Sequence, residues 1–400
     1  MKIICCADLH LGRVSSVPNN IDNRSYSAFE TWKKIIRACN DENADLLLVA
    51  GDVFDKDSNP FLSFNYLENG LRELNNTQTV MIPGNHDLKH LEGMINTLNN
   101  ENIHFIGKDC TWEKYEYKGL NIFGFGFDRE IFEENPFKTY SVNNIQGENY
   151  ILMVHGDYKS SKGNYAPFGD KLKCAQIKKS VITLIGHTHK REETEYYTSL
   201  GSPQAFDFGE KGQHGYYILE LDENLKKKSF EFKPVSSVYY DMAEIDVSPM
   251  DQGKDLLDIL IDSLEAVSSL NYYRIVFKGR LSEEKFAKFN EDFENLSVMP
   301  KIGDNIFIDF NNCKNSVLRM YDLNEVARQN NAAGLVAKMI LSVDRGDFKE
   351  EYKDEYSDMK SKISEYMKDF KNYIEVTDED ILENIRENLV RILNEKKGEY

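Results

Sequence analysis

The sequence predicts an α/β protein with three parts. Buried β-type runs alternate with helical patterns in the first part, a short strand–helix–strand pattern follows, and helical periodicity dominates the end of the chain. We therefore expect a layered domain over residues 1–236, a small αβ capping domain over 237–321 and a helical region over 322–400.

The layered domain is predicted by six short apolar runs bounded by Gly, Pro or polar turn residues. In chain order these runs are KIICCA, DLLLVA, TVMIP, LNIFGF, YILMVH and VITLIG. Because apolar residues occupy successive positions, each run is typical of a strand buried on both faces. The segments SYSAFETWKKIIRACN and FLSFNYLENGLRELN carry apolar residues at helical spacing, which predicts helices covering the sheet.

The later parts have a different texture. The runs TEYYTSL, GYYILELD and KSFEFKPV are typical of short antiparallel strands. Beyond them, YRIVFKG, SEEKFAKFNEDFENL and NIFIDF predict a strand, a helix and a strand in the capping domain. The segments DLNE and TDED resemble capping boxes, so they predict helix starts at residues 322 and 377.

Composition limits the classes of partner. The chain has 400 residues, of which 41% are hydrophobic, so it is long enough to form two or three cores. Its net charge of −18 makes broad electrostatic adhesion to DNA or to an anionic membrane unfavourable. Any nucleic-acid binding must therefore depend on positive charge that is concentrated locally.

Neither a membrane span nor secretion is indicated. No apolar run approaches the roughly 18 to 20 residues that a span needs. The opening segment MKIICCADLH has too short an apolar stretch for a secretory signal. The six cysteines lack a C-x-x-C spacing, which indicates reduced core residues. We therefore expect a cytoplasmic protein with no membrane contact.

Polar residues follow five of the predicted strands. Ligands of open α/β sheets bind at the carboxyl ends of the strands, so we expect these side chains to lie together. Five of the eight histidines of the chain stand at such ends. The candidate metal ligands are Asp8, His10, Asp52, Asn85, His155, His187 and His189.

The ligand types indicate a pair of divalent cations. Oxygen and imidazole ligands suit Mn²⁺, Fe²⁺ or Zn²⁺ better than a thiolate site would, and no G-x-S-x-G segment indicates a serine nucleophile. Seven ligands exceed the needs of one ion, whereas two ions about 3.5 to 4 Å apart can clamp the oxygens of a phosphoryl displacement. Asp52 is the expected bridging carboxylate. Two histidines at alternate positions, His187 and His189, would leave their strand on the same side.

The series DLHLG, GDVFD, GNHD, VHGD and GHTHK resembles the calcineurin-like metallophosphoesterases over roughly residues 1–190. The resemblance implies a four-layer β-sandwich flanked by helices and two divalent ions, for which Mn²⁺ is expected and Fe²⁺ or Zn²⁺ are alternatives. It also implies that His86 is the acid for the leaving oxygen and that Asp87 orients it. One ion would be held by Asp8, His10, Asp52 and His189, and the other by Asp52, Asn85, His155 and His187.

A longer segment, YYTSLGSPQAFDFGEKGQHGYYILEL, is similar to the SbcD nuclease family. This similarity implies a DNA exonuclease and endonuclease subunit that acts in repair, with a helical end that docks an SMC-like ATPase of the SbcC type with a coiled coil. Some relatives have histidine where this chain has Asp55, so the role of that residue stays open. A homodimer is also left open.

Basic residues give an independent indication of DNA. Six lysines between residues 156 and 182 face only Asp157 and Asp170, with aromatic residues among them that could stack on unpaired bases. An ordinary solvated loop would explain the same pattern, and a surface salt bridge would explain the arginine beside the first motif. The candidate substrate contacts are Arg13, Tyr158, Lys159 and Lys162.

Three functions remain open at this point. A two-metal DNA nuclease leads, and a phosphodiesterase for small nucleotides or other phosphate esters is the alternative. A scaffold that kept the fold but not the chemistry comes third, because every ligand type is present.

Overall fold

The fold is described from a computed structural model, for residues 1–98, 100–138, 149–298, 301–367 and 377–395. Its strands, in chain order, are β1 (Lys2–Cys6), β2 (Leu46–Ala50), β3 (Gln78–Ile82), β4 (Ile103–Phe105), β5 (Glu113–Tyr117), β6 (Leu120–Phe125), β7 (Tyr150–His155), β8 (Ile182–Gly186), β9 (Glu192–Glu193), β10 (Tyr197–Ser199), β11 (Gly215–Leu221), β12 (Lys227–Pro234), β13 (Val238–Asp246), β14 (Leu270–Leu281), β15 (Lys301–Ile302), β16 (Ile306–Ile308) and β17 (Lys314–Arg319). Its α-helices are α1 (Ala28–Asp41), α2 (Pro60–Arg72), α3 (Leu88–Thr97), α4 (Ala175–Lys179), α5 (Leu256–Ser263), α6 (Glu283–Val298), α7 (Leu323–Val326), α8 (Ala332–Arg345), α9 (Phe348–Glu351), α10 (Lys353–Met367) and α11 (Asp378–Glu395).

Two six-stranded sheets form the layered part. The first has the order β12-β11-β1-β2-β3-β4 and the second β5-β6-β7-β8-β10-β9. Strands β1 to β4 are parallel, as are β6, β7, β8 and β10, whereas β11, β12, β5 and β9 pair antiparallel. The six strands predicted from apolar runs are confirmed as β1, β2, β3, β6, β7 and β8. The carboxyl ends of β1, β2, β3, β7 and β8 carry the polar motifs.

The sheets pack face to face, and each has a second buried face. Alternate residues of a strand point to opposite sides, so the unbroken apolar runs supply both faces. The core between the sheets includes Ile3, Cys5, Leu46, Leu48, Ile122, Ile151 and Leu184. The outer face of the first sheet packs on α1 to α3 through residues such as Ile4, Leu47, Val49, Trp32 and Ile35. The outer face of the second packs on α4 and neighbouring loops through residues such as Leu152, Val154, Phe168 and Ile177. The predicted layered α/β fold is confirmed.

The chain divides into two compact units. The first comprises Met1–Met242, Glu265–Tyr273 and Gly303–Asp309, and the second comprises Ala243–Leu264, Arg274–Ile302 and Phe310–Tyr400. The predicted domain boundaries after residues 236 and 321 stay predictions. The predicted helical end is confirmed by α7 to α11, which share an apolar core.

Both predicted capping boxes begin helices. The carboxylate of Asp322 accepts hydrogen bonds from the backbone N–H groups of Asn324 and Glu325. Thr377 and Asp380 cap each other reciprocally, at 3.2 Å from the Asp380 N–H to the threonine hydroxyl and 2.8 Å from the Thr377 N–H to the carboxylate. Among the helices described, none has the length and apolar character needed to cross a membrane.

Candidate metal centre

Four of the proposed ligands have a left-handed backbone. The φ angles are 51° at Asp8, 45° at His10, 49° at Asp52 and 97° at His187. Residues other than glycine rarely adopt this region of backbone conformation. Each such residue reduces the stability of the fold by on the order of 1–3 kcal/mol. All four stand just after β1, β2 or β8, so the surrounding sheets hold the strain at the ends of the strands. Such strain clusters at functional sites.

Glycines beside the ligands permit a very close approach. A Cβ atom on Gly51 would lie 2.2 Å from Nδ1 of His155, and one on Gly84 would lie 2.1 Å from Oδ1 of Asp52. Gly51 also has a φ of 89°, which favours glycine. The glycines of the GD and GNHD motifs are therefore needed for the ligands to converge.

Three proposed ligands form a first cluster after β1 and β8. The donor atoms of Asp8, His10 and His189 all lie within 4.8 Å of one another. Nε2 of His10 is 2.8 Å from Nε2 of His189. Asp8 and His10 are 0% and 1% exposed, so their polar atoms depend on partners inside the protein.

A second cluster lies after β2, β7 and β8. It contains Asp52, His155 and His187, again with donor atoms within 4.8 Å. The side-chain oxygen of Asn85 lies 3.1 Å from Nε2 of His155 and 3.0 Å from Nδ1 of His187. Nδ1 of His155 donates to the carbonyl of Ala50 at 3.0 Å, which leaves Nε2 directed at the cluster.

Asp52 connects the two clusters. Its Oδ2 is 3.4 Å from Nε2 of His155 in the second cluster and 3.8 Å from Nε2 of His10 in the first. Its Oδ1 accepts a hydrogen bond of 2.9 Å from the backbone N–H of His86, which fixes the carboxylate. One oxygen thus faces both clusters, as a bridging ligand must.

The charges of the site suit cations. Burial raises the pKa of Asp8 to about 6, and it lowers the pKa of His10 to about 3 and that of His187 to about 4. Burial would also raise the pKa of Asp52, but the neighbouring His155 holds it well below its usual value. The pKa of His155 would fall through burial, yet Asp52 and Asp8 raise it to about 9. Neutral His10 and His187 keep lone pairs for a metal, and buried Asp8 lacks a sufficient positive partner.

Unpartnered atoms in the same site agree with this interpretation. Oδ2 of Asp8 and Nδ1 of His10 are buried and have no hydrogen-bond partner. Buried polar atoms are usually paired, and a bound cation would satisfy the carboxylate oxygen. The residues therefore fit a pair of divalent ions.

Comparison with known proteins agrees with the site. Residues 1–191 match the family model described as calcineurin-like phosphoesterase. The chain is 34% identical over 266 residues to a subunit of the nuclease SbcCD from Staphylococcus saprophyticus, an alignment that covers 59% of this chain and 70% of the relative. The chain belongs to the calcineurin-like phosphoesterases. It is a metal-dependent hydrolase.

Two further proteins are similar to this phosphoesterase. The uncharacterized metallophosphoesterase YhaO of Bacillus subtilis is 28% identical over 306 residues, covering 71% of this chain and 73% of the relative. A dimetal phosphatase from Danio rerio is 10% identical with a TM-score of 0.35, covering 56% of this chain and 93% of the other.

His86 lies at the first cluster of the phosphoesterase. Its ring stands edge-on to that of His10, with centroids 5.0 Å apart, and its buried Nδ1 has no hydrogen-bond partner. His10, Asp55 and His86 bring donor atoms within 4.8 Å of one another. Asp55 therefore belongs to the neighbourhood of the site, with Oδ1 3.7 Å from Nδ1 of His10.

The prediction that Asp87 orients the side chain of His86 is corrected by the structure. The carboxylate of Asp87 instead accepts backbone N–H groups, that of Phe54 at 2.8 Å and that of Gly84 at 2.8 Å. Asp87 thus ties the loop after β2 to the loop after β3. Burial and the neighbouring Asp52 raise its pKa to about 7.

The sequence interpretation missed Glu210 as a site residue. Its Oε1 lies 2.5 Å from Nδ1 of His189, and its Oε2 accepts the backbone N–H of Phe206 at 2.9 Å. Hydrogen bonding to the far nitrogen of an imidazole fixes its orientation and directs the other nitrogen at a metal. The signal was present, because Glu210 ends the DFGE segment that follows the H-x-H motif.

The predicted substrate contacts are only partly accessible. Tyr158 is 2% exposed and its hydroxyl donates to Glu192, so its ring is not available to stack on a base, contrary to the prediction. Lys159 pairs with the same Glu192 at 3.2 Å, and Lys162 is exposed. Arg13 pairs with Asp207 at 3.2 Å, as the salt-bridge alternative expected.

Tyr165, from the same loop, is the accessible aromatic residue beside the site. Its ring is 37% exposed and its centroid lies 4.9 Å from that of His187. Of the interleaved aromatic residues that were expected to stack on bases, the loop thus presents Tyr165 to the second cluster, and not Tyr158.

Proposed function

We propose that this phosphoesterase is a two-metal DNA exonuclease and endonuclease subunit that hydrolyses phosphodiester bonds in DNA repair. The observation that carries the nuclease assignment is the 34% identity to the SbcCD nuclease relative over 70% of its length. The clusters that share Asp52 supply the chemistry that such a nuclease needs.

The ligands would be divided between two ions. Asp8, His10 and His189 would hold one, Asn85, His155 and His187 would hold the other, and Asp52 would serve both. Divalent ions bound there supply Lewis-acid activation of water and stabilise the charge that develops on the transferring phosphoryl group. Mn²⁺ is the proposed metal, with Fe²⁺ or Zn²⁺ as alternatives.

His86 would act on the leaving oxygen. Its backbone N–H donates to Oδ1 of Asp52, so the backbone at His86 is fixed relative to the bridging ligand. Nδ1 of its ring is buried and has no hydrogen-bond partner among the described residues. We assign it the role of general acid, which protonates the departing oxygen as the phosphodiester bond breaks.

Tyr165 would bind a nucleobase. An exposed ring beside the second cluster can stack on any base, because every base has a π-face. This contact favours a nucleotide over a phosphate ester without a base.

The partner assignments extend the proposal. The nuclease relative is one component of a larger assembly, which supports a complex here as well. We propose that the helical region over 322–400 docks an SMC-like ATPase of the SbcC type with a coiled coil. A homodimer and a location in the cytoplasm belong to the same proposal.

A second function is a phosphodiesterase for small nucleotides. Tyr165 favours this function equally. A small nucleotide also has a base that can stack on Tyr165 while its phosphate lies at the metal centre. A non-catalytic scaffold is disfavoured by the complete ligand set.

A cleavage assay separates the two enzymes. Purified protein with Mn²⁺ is given linear DNA, a cyclic mononucleotide and an aryl phosphodiester, with Asp52→Asn as the inactive control. We expect DNA to be cleaved with the highest kcat/KM. Efficient hydrolysis of the small diesters with none of DNA would replace the nuclease by the phosphodiesterase.

A further inference from the structure

A cleft of about 450 Å³ is lined by His189 and Glu210 together with neighbouring residues. One wall is formed by residues 189–191, which follow β8, and the other by residues 209–214, which precede β11. Because His189 also belongs to the first ligand cluster, the cleft is adjacent to the proposed metal centre.

The charged residues of the lining are two lysines, one arginine and one glutamate, beside two histidines. The acidic one, Glu210, is already occupied by His189. Arg191 pairs with Glu193 at 3.2 Å and stacks over the ring of Phe232 at 3.9 Å, so it is held as part of the wall.

The two lysines are not neutralised. Within the part of the chain that the structure describes, neither Lys190 nor Lys211 forms an ion pair with a carboxylate. The Lys211 ammonium group donates to the sulfur of Met242 at 3.1 Å, a weak acceptor. Both residues are exposed, so both charges are available to a ligand.

The cleft concentrates positive charge in a protein that is acidic overall. The chain has a net charge of −18, and some of its exposed lysines pair with carboxylates, as Lys118 and Lys278 do. Two free ammonium groups in a concave surface focus a local positive potential that attracts anions.

We propose that this cleft binds a second phosphate of a polynucleotide strand, next to the phosphodiester held at the metal centre. This inference rests on the proposed nuclease function and deepens it. A mononucleotide or aryl diester places its single phosphate at the metal centre and has no anion left for Lys190 and Lys211. A polynucleotide strand has a further phosphate that these lysines can bind. The cleft therefore selects for chain length and not for base identity.

The test compares charge-reversed variants with a matched control. Lys190→Glu/Lys211→Glu changes the charge of the cleft by the same amount as Lys226→Glu/Lys227→Glu changes that of the exposed start of β12. Each protein is assayed with Mn²⁺ on a single-stranded thymidine oligonucleotide and on an aryl phosphodiester. Metal content and thermal unfolding verify that each variant is folded.

We expect the ratio of oligonucleotide to aryl kcat/KM to fall about tenfold or more in the cleft variant, through KM for the oligonucleotide. The control should keep the wild-type ratio. The ratio for the neutral variant Lys190→Gln/Lys211→Gln should fall in between. Its dependence of log KM on log salt should be shallower by about 0.7, because the two lysines share one phosphate and each phosphate contact to a single strand contributes about that much.

The experiment distinguishes a failure of the cleft proposal from a failure of the nuclease proposal. If the wild type cleaves the oligonucleotide and the cleft variant keeps its ratio, the cleft proposal is wrong and the nuclease proposal stands. If the wild type hydrolyses only the aryl diester, the nuclease function fails and the cleft proposal falls with it.

Discussion

Glu210 offers a sharp test of how the first cluster is held together. Its carboxylate lies 2.5 Å from Nδ1 of His189, and the side chain is only 11% exposed. Replacing it with alanine leaves the His189 ring free to turn and removes the acceptor for the N–H of Phe206. Partners of this kind typically contribute 10- to 100-fold to metal affinity, or about 1.4 to 2.7 kcal/mol.

We expect Glu210→Ala to weaken binding of one metal ion by about 100-fold and Glu210→Gln by about tenfold, because the amide oxygen can still accept from His189 without supplying charge. A calorimetric titration of metal-free protein with Mn²⁺ measures the affinity of each of the two metal sites. A positioning role further predicts that saturating Mn²⁺ restores much of kcat, which a lost catalytic group would not allow.

The control is Glu220→Gln, a carboxylate on β11 that pairs with Lys228 at 3.4 Å and does not contact a proposed ligand. It should bind both ions as the wild type does. If Glu210→Ala also binds Mn²⁺ with wild-type affinity at both sites, the positioning role is refuted.

Three other changes test separate parts of the account. His86→Ala should keep both metals but lower kcat on DNA by about 10²- to 10⁴-fold, measured in single-turnover cleavage, and an active variant would remove the acid role. Asp87→Ala should reduce the free energy of unfolding by about 2–4 kcal/mol in urea, because the buried N–H groups of Phe54 and Gly84 lose their acceptor; unchanged unfolding would contradict this. Tyr165→Ala should raise KM for single-stranded DNA several-fold, whereas Tyr165→Phe should leave it unchanged, since stacking needs only the ring. An equal rise of KM in both variants would exclude stacking.

The central strands were predictable from local sequence, and the edges were not. Runs such as Leu46–Ala50 are apolar at every position because both faces are covered, which makes them recognisable without any tertiary information. The edge strand β5 has the sequence EKYEY, and its alternating burial depends on the neighbour that it pairs with. Strand β13 and helix α5 were also not anticipated, although Pro249 and Gly253 mark a turn between them.

The residues of the site also divide into those that were predictable from local sequence and those that were not. Asp8, Asp52 and His155 were identified because each stands at the end of a buried strand. The loop residues were not predictable, because burial decided between Tyr158 and Tyr165, and only packing sets burial within a loop. The role of Asp87 in orienting His86 was taken from the family resemblance, yet its carboxylate accepts N–H groups from two other loop residues.

The central claim is that two cations share Asp52. Metal content per chain, measured by mass spectrometry after reconstitution with Mn²⁺, tests it most directly when wild type is compared with Asp52→Asn and His189→Ala. We expect two ions in the wild type, one in His189→Ala, and weakened binding of both in Asp52→Asn, because one oxygen faces both clusters. A single ion in the wild type, or two tightly bound ions in Asp52→Asn, would contradict the account.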